Sequence, residues 1–156
     1  MLTDSATALA WLQRTAQASV YPTLDTATCE AILAARQEYT VWAADTAYTY
    51  GDRVVPTTPD GHAYRCVGSG TSGATAPDWP GDGTFSDGTA VWETLPAQPD
   101  SLWDLRGAAY DAWNTKAGIA VSGGVRVTAG SLSVDTQSVA QACREMAARY
   151  APVGVS

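Results

Sequence analysis

GSGTSGATAPDWPGDGTFSDGTAVWE, residues 68–93, has a composition that no helix tolerates. It contains six glycines, two prolines, two tryptophans and two Asp-Gly pairs. Glycine and proline interrupt helices and long strands, and Asp-Gly is a common turn pair. The stretch therefore predicts short strands joined by tight turns. On either side of it the chain returns to Ala-rich segments with helical patterning.

The same composition extends over residues 42–97, which hold eight of the 14 glycines and three of the six tryptophans. Three runs, DRVVP, HAYRCV and TAVWETL, carry β-branched or aromatic residues between turn sequences such as PDGH and SDGT. They predict an antiparallel sheet of about three strands. A sheet of that size needs large side chains for its core. The candidates are Trp42, Tyr48, Tyr64, Trp79 and Trp92.

Helical periodicity marks four segments outside that range. They cover residues 3–19, about 25–39, 99–121 and 135–150. In the last segment Val139, Cys143, Met146 and Tyr150 recur at helical spacing, which predicts its buried apolar stripe. Side-chain oxygens stand where N-caps belong, because they can accept hydrogen bonds from the free N–H groups of a first helical turn. The candidate caps are Thr3 or Asp4, Asp25 or Thr26, and Ser133 or Asp135. Before the last helix, VRVTAGSLSVD predicts a β-hairpin that turns at Ala129-Gly130.

The third helix is apolar over most of its circumference, because its polar residues form only one narrow stripe. Such a helix is buried on several sides, which in a small chain predicts contacts with a neighbouring subunit. Lys116, the only lysine, lies on the apolar side. It either anchors a subunit contact or extends past Trp113 to water. The candidate subunit-interface residues are Trp11, Trp103, Lys116 and Tyr150, although Trp11 and Trp103 can equally pack within their own chain.

These patterns predict a mainly α fold. It has four helices, with a β-hairpin before the last helix and a small antiparallel β insert between helices 2 and 3. The expected domain division assigns residues 1–41 and 98–156 to the helical core and residues 42–97 to the inserted β module. A chain of 156 residues is long enough for one domain that carries a small insert.

Charge limits the partners that the chain can bind. The formal net charge is -7, and residues 42–97 hold seven carboxylates against Arg53 and Arg65. This balance argues against a nucleic-acid-binding groove, which needs clustered basic side chains. Only 16% of the residues are charged, which favours an assembly subunit whose surface is covered by partners. No signal peptide or membrane-spanning segment is expected.

The chain offers little that suggests catalysis or metal binding. Cys29, Cys66 and Cys143 are an odd number without CxxC spacing, which favours buried free thiols over a zinc site or disulfides. His62 is the only histidine, and neither a GxSxG nor a phosphate-binding loop motif surrounds Ser69 or Ser72. The acidic loop residues lack the spacing of a calcium loop. We expect no enzymatic activity, cofactor or metal.

Two segments carry a resemblance to known families. LWDLRGAAYDAWNTKAGIAV, residues 102–121, followed by VRVTAGSLSVDTQSVAQACREMAARY, residues 125–150, resembles the head-to-tail adaptor (connector) proteins of long-tailed bacteriophages. The matching features are an Ala-rich helix with an aromatic-x-x-Lys-Ala segment, a short strand pair and a closing Arg/Met/Ala/Tyr helix. The insert looks like a small β module of phage virion proteins, which is distantly similar to chitin-binding-type carbohydrate modules.

The adaptor resemblance implies a four-helix bundle that forms one subunit of a twelve-membered ring in the virion neck, assembled in the host cytoplasm. Its implied partners are copies of itself, the portal protein, stopper or tail proteins and, through the insert, the major capsid protein. DNA would pass through the ring without sequence-specific binding. Two alternatives remain: another neck protein such as a head-completion stopper, or a carbohydrate-binding attachment module. The candidates for either the insert's core or a glycan site are Trp42, Tyr64, Trp79 and Trp92.

Overall fold

A computed structural model describes residues 4–123, 128–129, 132–133 and 135–152. The chain divides into two compact units. The sheet unit is Gln37–Leu102, and the helical unit combines Asp4–Arg36 with Trp103–Ser156. The boundaries therefore fall about five residues outside the expected insert, residues 42–97, at each end.

The prediction of a mainly α four-helix bundle is wrong. The described chain is 39% helix and 20% strand and contains a five-stranded mixed sheet, so its fold is mixed α/β. The insert carries more sheet than the three predicted strands. The additional strands are only two to four residues long, and strands this short have too few residues to show a period of two.

The helical unit contains four helices in the described residues. They are α1 (Ser5–Thr15), α2 (Thr26–Ala35), α3 (Leu105–Ser122) and α4 (Thr136–Tyr150). Each begins at an aspartate whose carboxylate accepts hydrogen bonds from first-turn N–H groups. These N-caps are Asp4, Asp25, Asp104 and Asp135.

The predicted start of the third helix at Pro99 is wrong, because backbone groups before Leu105 are bonded elsewhere. The Leu102 carbonyl accepts from the N–H groups of Glu38 and Tyr39. In the helical unit, the Asp104 N–H donates to the Arg36 carbonyl. These non-local hydrogen bonds hold the chain extended until Asp104 caps the helix.

Small side chains allow the helices to approach closely. Ala108, Ala109 and Ala112 on α3 are fully buried, as is Ala140 on α4. The predicted apolar stripe of α4 is confirmed, because Cys143 packs in a cluster with Trp113 and Ala117 of α3. The other predicted members, Val139, Met146 and Tyr150, are partly buried against the same cluster. An ion pair joins α2 to α3, in which Arg36 donates to both carboxylate oxygens of Asp111 at 2.6 and 2.9 Å.

The sheet unit contains seven strands. They are β1 (Thr40–Val41), β2 (Ala47–Tyr48), β3 (Arg53–Val55), β4 (Ala63–Gly68), β5 (Gly70–Thr71), β6 (Thr84–Asp87) and β7 (Ala90–Leu95). The five-stranded sheet has the order β1-β3-β4-β7-β6, and β2 pairs with β5 in a separate two-stranded sheet. The pairing of β1 with β3 is parallel, and the other pairings of the larger sheet are antiparallel.

A second two-stranded sheet precedes α4. It consists of β8 (Thr128–Ala129) and β9 (Leu132–Ser133), which are antiparallel, in the region where the sequence predicts a hairpin. The Gly130 half of the predicted turn lies outside the described residues, as do the alternative cap Thr3 and residues 153–156.

Candidate functional site

The predicted aromatic residues of the insert form the core of the sheet unit. Trp42, Tyr64 and Trp92 are each at most 8% exposed and belong to one cluster with Tyr48 and Val54. Burial, followed by the hydrogen bond to Asp60, raises the pKa of Tyr64 far above its ordinary value. Side chains so deeply buried hold the small sheet together and present no ring to a ligand.

Trp79 is the only partly exposed member of the predicted glycan group. Its ring lies 4.6 Å from that of Tyr64 at 40°, and it meets Trp42 and Phe85 edge-on at 6.1 and 5.8 Å. The neighbouring Pro80 carbonyl accepts from the hydroxyls of Tyr64 and Thr94, each at 3.1 Å. The loop is therefore fastened onto the sheet, and Trp79 has no coplanar aromatic partner with which to form a flat sugar-binding platform.

A buried carboxylate connects the β6–β7 turn to the glycine-rich loop. Asp87 is 5% exposed, and its two oxygens accept from Trp42 Nε1 and the Gly73 N–H, both at 2.8 Å. Gly88 and Gly70 allow this close approach, since a Cβ at either position would lie 2.3 Å from backbone atoms. The glycine-rich loop thus folds tightly because the Asp87 carboxylate binds it to the β6–β7 turn. Two glycines, which lack a Cβ, let the backbone segments approach each other.

Lys116 occupies a site that neither sequence-based interpretation foresaw. It is 1% exposed, so it does not extend to water, and its partners belong to its own chain. Its ammonium donates to the carbonyls of Ala16, Gln17 and Val20 at 2.8–3.0 Å. It also lies 4.6 Å from the centre of the Trp113 ring.

This lysine caps the C-terminal end of α1. Carbonyls at a helix C-terminus lack helical partners and carry partial negative charge, so an ammonium stabilises them. Burial lowers the pKa of Lys116. Burial also raises the pKa of the thiols of Cys29 and Cys143. The site is thus a structural cation beside two neutral thiols, and it fixes the connection between α1 and α2.

The other three predicted interface residues are at least partly buried within the helical unit. Trp103 is 9% exposed, and Trp11 and Tyr150 are partly buried. Tyr150 packs against the cluster of α3 and α4. None of these three is among the exposed large apolar side chains of the described residues.

A group of exposed large apolar side chains lies instead near one end of the helical unit. We call it the end patch and define it as Val20, Tyr21, Ile119 and Val121, which are 38–55% exposed. Ile119 and Val121 lie on different sides of α3, because they are two residues apart on a helix. Val20 and Tyr21 lie between α1 and α2, and the other two lie near the end of α3. The two segments are adjacent, since Lys116 donates to the Val20 carbonyl at 3.0 Å. A Cβ at Gly123 would also lie 3.7 Å from the Tyr21 hydroxyl.

The sequence contained part of the signal for the end patch. The apolar side chains that cover most of the circumference of α3 predict a contact with a neighbour. Ile119 and Val121 are among these side chains. Val20 and Tyr21 fall in a segment that sequence alone identifies only as a break between helices. Their proximity to α3 depends on the Lys116 contacts, which have no local sequence pattern.

The two serines of the glycine-rich stretch have structural hydrogen-bond partners. Ser72 Oγ accepts from the Thr46 N–H and donates to the Ala43 carbonyl, and Ser69 Oγ accepts from the Tyr50 N–H. Both serines therefore fasten loops. Within the ranges that the structure describes, no three His, Cys, Asp or Glu side chains come together as metal ligands. In the same ranges, no helix is both long and apolar enough to cross a membrane.

No protein-family model, curated protein or solved structure matches the chain.

Proposed function

We propose that this chain is a structural subunit of a bacteriophage neck, a head-to-tail adaptor that assembles into a ring below the portal. The end patch is the observation that carries the proposal. A soluble chain leaves single apolar residues exposed as a rule, whereas four large ones at one end of a unit favour a protein contact.

The anchoring of the end patch supports the same proposal. The Val20 carbonyl is fixed by Lys116, and Gly123 closes α3 through its N–H to the Ile119 carbonyl at 2.9 Å. A surface that is already ordered loses little conformational entropy on binding. The end patch is thus suited to a repeated contact between identical subunits, as a ring requires.

Charge is consistent with a DNA channel that does not grip its contents. The helical unit holds seven acidic and seven basic residues, and the sheet unit is acidic. A protein that holds DNA tightly neutralises phosphates with clustered lysines and arginines. A neutral or acidic wall allows the duplex to slide.

The two alternatives have weaker support. An attachment module that binds glycans requires exposed, coplanar aromatic rings, and the four candidates supply only the partly exposed Trp79. A stopper with a mainly β core requires a smaller share of helix than the 39% found in this chain.

Mass photometry of the purified chain with the portal protein of the same virion tests the proposal. The expected result is a complex that contains a ring of about twelve copies, the symmetry implied by the adaptor resemblance. The double variant Tyr21→Ala/Ile119→Ser should abolish that complex while the monomer stays folded. Val41→Ala, which trims an exposed apolar residue of the sheet unit, should leave it intact. A chain that stays monomeric with portal protein would refute the proposal.

A further inference from the structure

The turn between β2 and β3, which we call the tip, is Thr49–Asp52. All four of its backbone N–H groups are hydrogen-bonded within the sheet unit. The Thr49 N–H donates to the Asp52 carboxylate at 2.7 Å, and the Asp52 N–H donates to the Thr49 carbonyl at 3.1 Å. The N–H groups of Tyr50 and Gly51 donate to Ser69 Oγ and the Cys66 carbonyl at 2.9 and 2.8 Å. The tip is therefore held in one conformation from several sides.

This ordered turn presents the most exposed large apolar side chain of the described residues. Tyr50 is 72% exposed. Ser69, whose Oγ accepts from the Tyr50 N–H, is small, uncharged and exposed as well, so it leaves room for a partner on its side of the tip. Tyrosine has only two side-chain torsions and combines an apolar ring with a polar hydroxyl, which makes it a frequent anchor in protein interfaces. An anchor on a rigid turn loses little entropy when it binds.

The whole net charge of the chain belongs to the unit that carries the tip. The sheet unit holds nine carboxylates and two arginines, which gives -7, equal to the formal charge of the complete chain. Seven of those carboxylates are exposed: Glu38, Asp45, Asp52, Asp60, Asp78, Asp82 and Asp100. Arg65 pairs with Glu93, so Arg53 is the only exposed cation of the unit. The sheet unit as a whole is therefore strongly acidic.

We propose that the sheet unit docks through Tyr50 onto a protein surface rich in lysine and arginine, which receives the phenol ring in an apolar-walled pocket. Charge complementarity selects this partner. Nucleic acids and anionic lipids carry phosphates that the seven exposed carboxylates repel. A second copy of this chain offers only an acidic or a neutral unit.

Recognition of a basic protein by the sheet unit deepens the proposed neck function. It rests on that function only in assuming that the partner is another protein of the virion. The Tyr50 contact and the neck function can be refuted separately. Rings that form with portal protein but lose nothing from a change at Tyr50 contradict the inference alone. A basic partner that comes from outside the virion contradicts the neck function alone.

Photo-crosslinking from the tip identifies the partner. The photoreactive residue p-benzoylphenylalanine replaces Tyr50 in the full chain, and in a matched control it replaces Val41, the other exposed large apolar residue of the unit. The cells that produce the virion are irradiated, and the crosslinked peptides are sequenced by mass spectrometry. We expect position 50 alone to label one protein, within a segment of net positive charge. Labelling of this chain itself, of an acidic segment, or equally from position 41 would overturn the proposal.

Titration of the purified partner then measures the contribution of the anchor. Tyr50→Ala should raise Kd by at least about tenfold, as expected for a central interface tyrosine. Val41→Ala should leave Kd unchanged, and added salt should weaken the wild-type complex because it screens the opposite charges. Because the Tyr50 side chain is 72% exposed, Tyr50→Ala should keep its fold, and a loss of binding then reports on the contact itself. An unchanged Kd for Tyr50→Ala, or binding that salt does not affect, would refute the inference.

Discussion

Replacing Lys116 with methionine tests whether the buried ammonium holds the end of α1. Methionine keeps an unbranched side chain of similar length but cannot donate to the carbonyls of Ala16, Gln17 and Val20. Each hydrogen bond from a charged donor contributes about 1.5–3 kcal/mol. The loss is offset by several kcal/mol, since the ammonium no longer has to be removed from water. We expect Lys116→Met to lower the free energy of unfolding by about 2–4 kcal/mol.

Urea unfolding followed by far-UV circular dichroism measures this effect, because the signal is dominated by the helical unit. Arg144→Met is the matched control, since Arg144 is exposed on α4 and its replacement should change stability by no more than about 0.5 kcal/mol. Thermal unfolding in the same buffer should rank the three proteins in the same order. A Lys116→Met protein as stable as the wild type, or more stable, would show that desolvation outweighs the three hydrogen bonds and would refute the capping role.

Four further predictions concern other parts of the two units. Asp87→Asn places an amide NH₂ against an N–H donor, so tryptophan fluorescence in denaturant should show the sheet unit destabilised by about 2–3 kcal/mol. Gly118→Ala should stabilise the chain by about 0.5–1 kcal/mol, because nothing lies within 4 Å of the added methyl group in α3. Gly70→Ala should lower the free energy of unfolding by at least about 3 kcal/mol, because its methyl group would lie 2.3 Å from backbone atoms. Equal melting temperatures for Gly118→Ala and Gly70→Ala would contradict both expectations. Because burial raises the pKa of Cys29 and Cys143 above 9.0, the folded chain keeps protons that the unfolded chain loses. Their contribution is complete below about pH 9 and falls above it by up to about 1.4 kcal/mol per thiol per pH unit, so Cys29→Ala/Cys143→Ala should flatten the pH dependence of unfolding.

The helices could be predicted because their signals are local. Asp4, Asp25 and Asp135 accept from first-turn N–H groups a few residues away, and the stripe around Cys143 repeats at helical spacing. The start of α3 could not be predicted in this way. It depends on hydrogen bonds to backbone groups far earlier in the sequence.

The extent of the sheet was underestimated for a related reason. β1 has two residues and pairs in parallel with β3, with Thr40 opposite Val54. Nothing within two residues reveals a partner 14 positions away. β6 leads into the SDGT turn, which places Asp87 opposite Ala90. The strand has a single aromatic residue, so its sequence shows no alternating pattern. Short strands therefore gain their structure from their neighbours, and the mainly α prediction failed at these strands.

The candidate surfaces were predictable only in part. The apolar circumference of α3 indicated an intermolecular contact, but Trp11 and Trp103 were chosen for their size and are at least partly buried. No local pattern distinguishes Tyr50, because TYGD, residues 49–52, is an ordinary turn sequence. Its exposure depends on how Ser69 and Cys66 hold the turn, and both residues belong to a later part of the chain.

Cryo-electron microscopy of the virion neck locates this chain directly. A neck adaptor should form a closed ring below the portal, with the end patch buried between neighbouring subunits. Density for the chain on the capsid surface or at the tail tip would contradict it, as would a neck ring in which Val20, Tyr21, Ile119 and Val121 all face solvent.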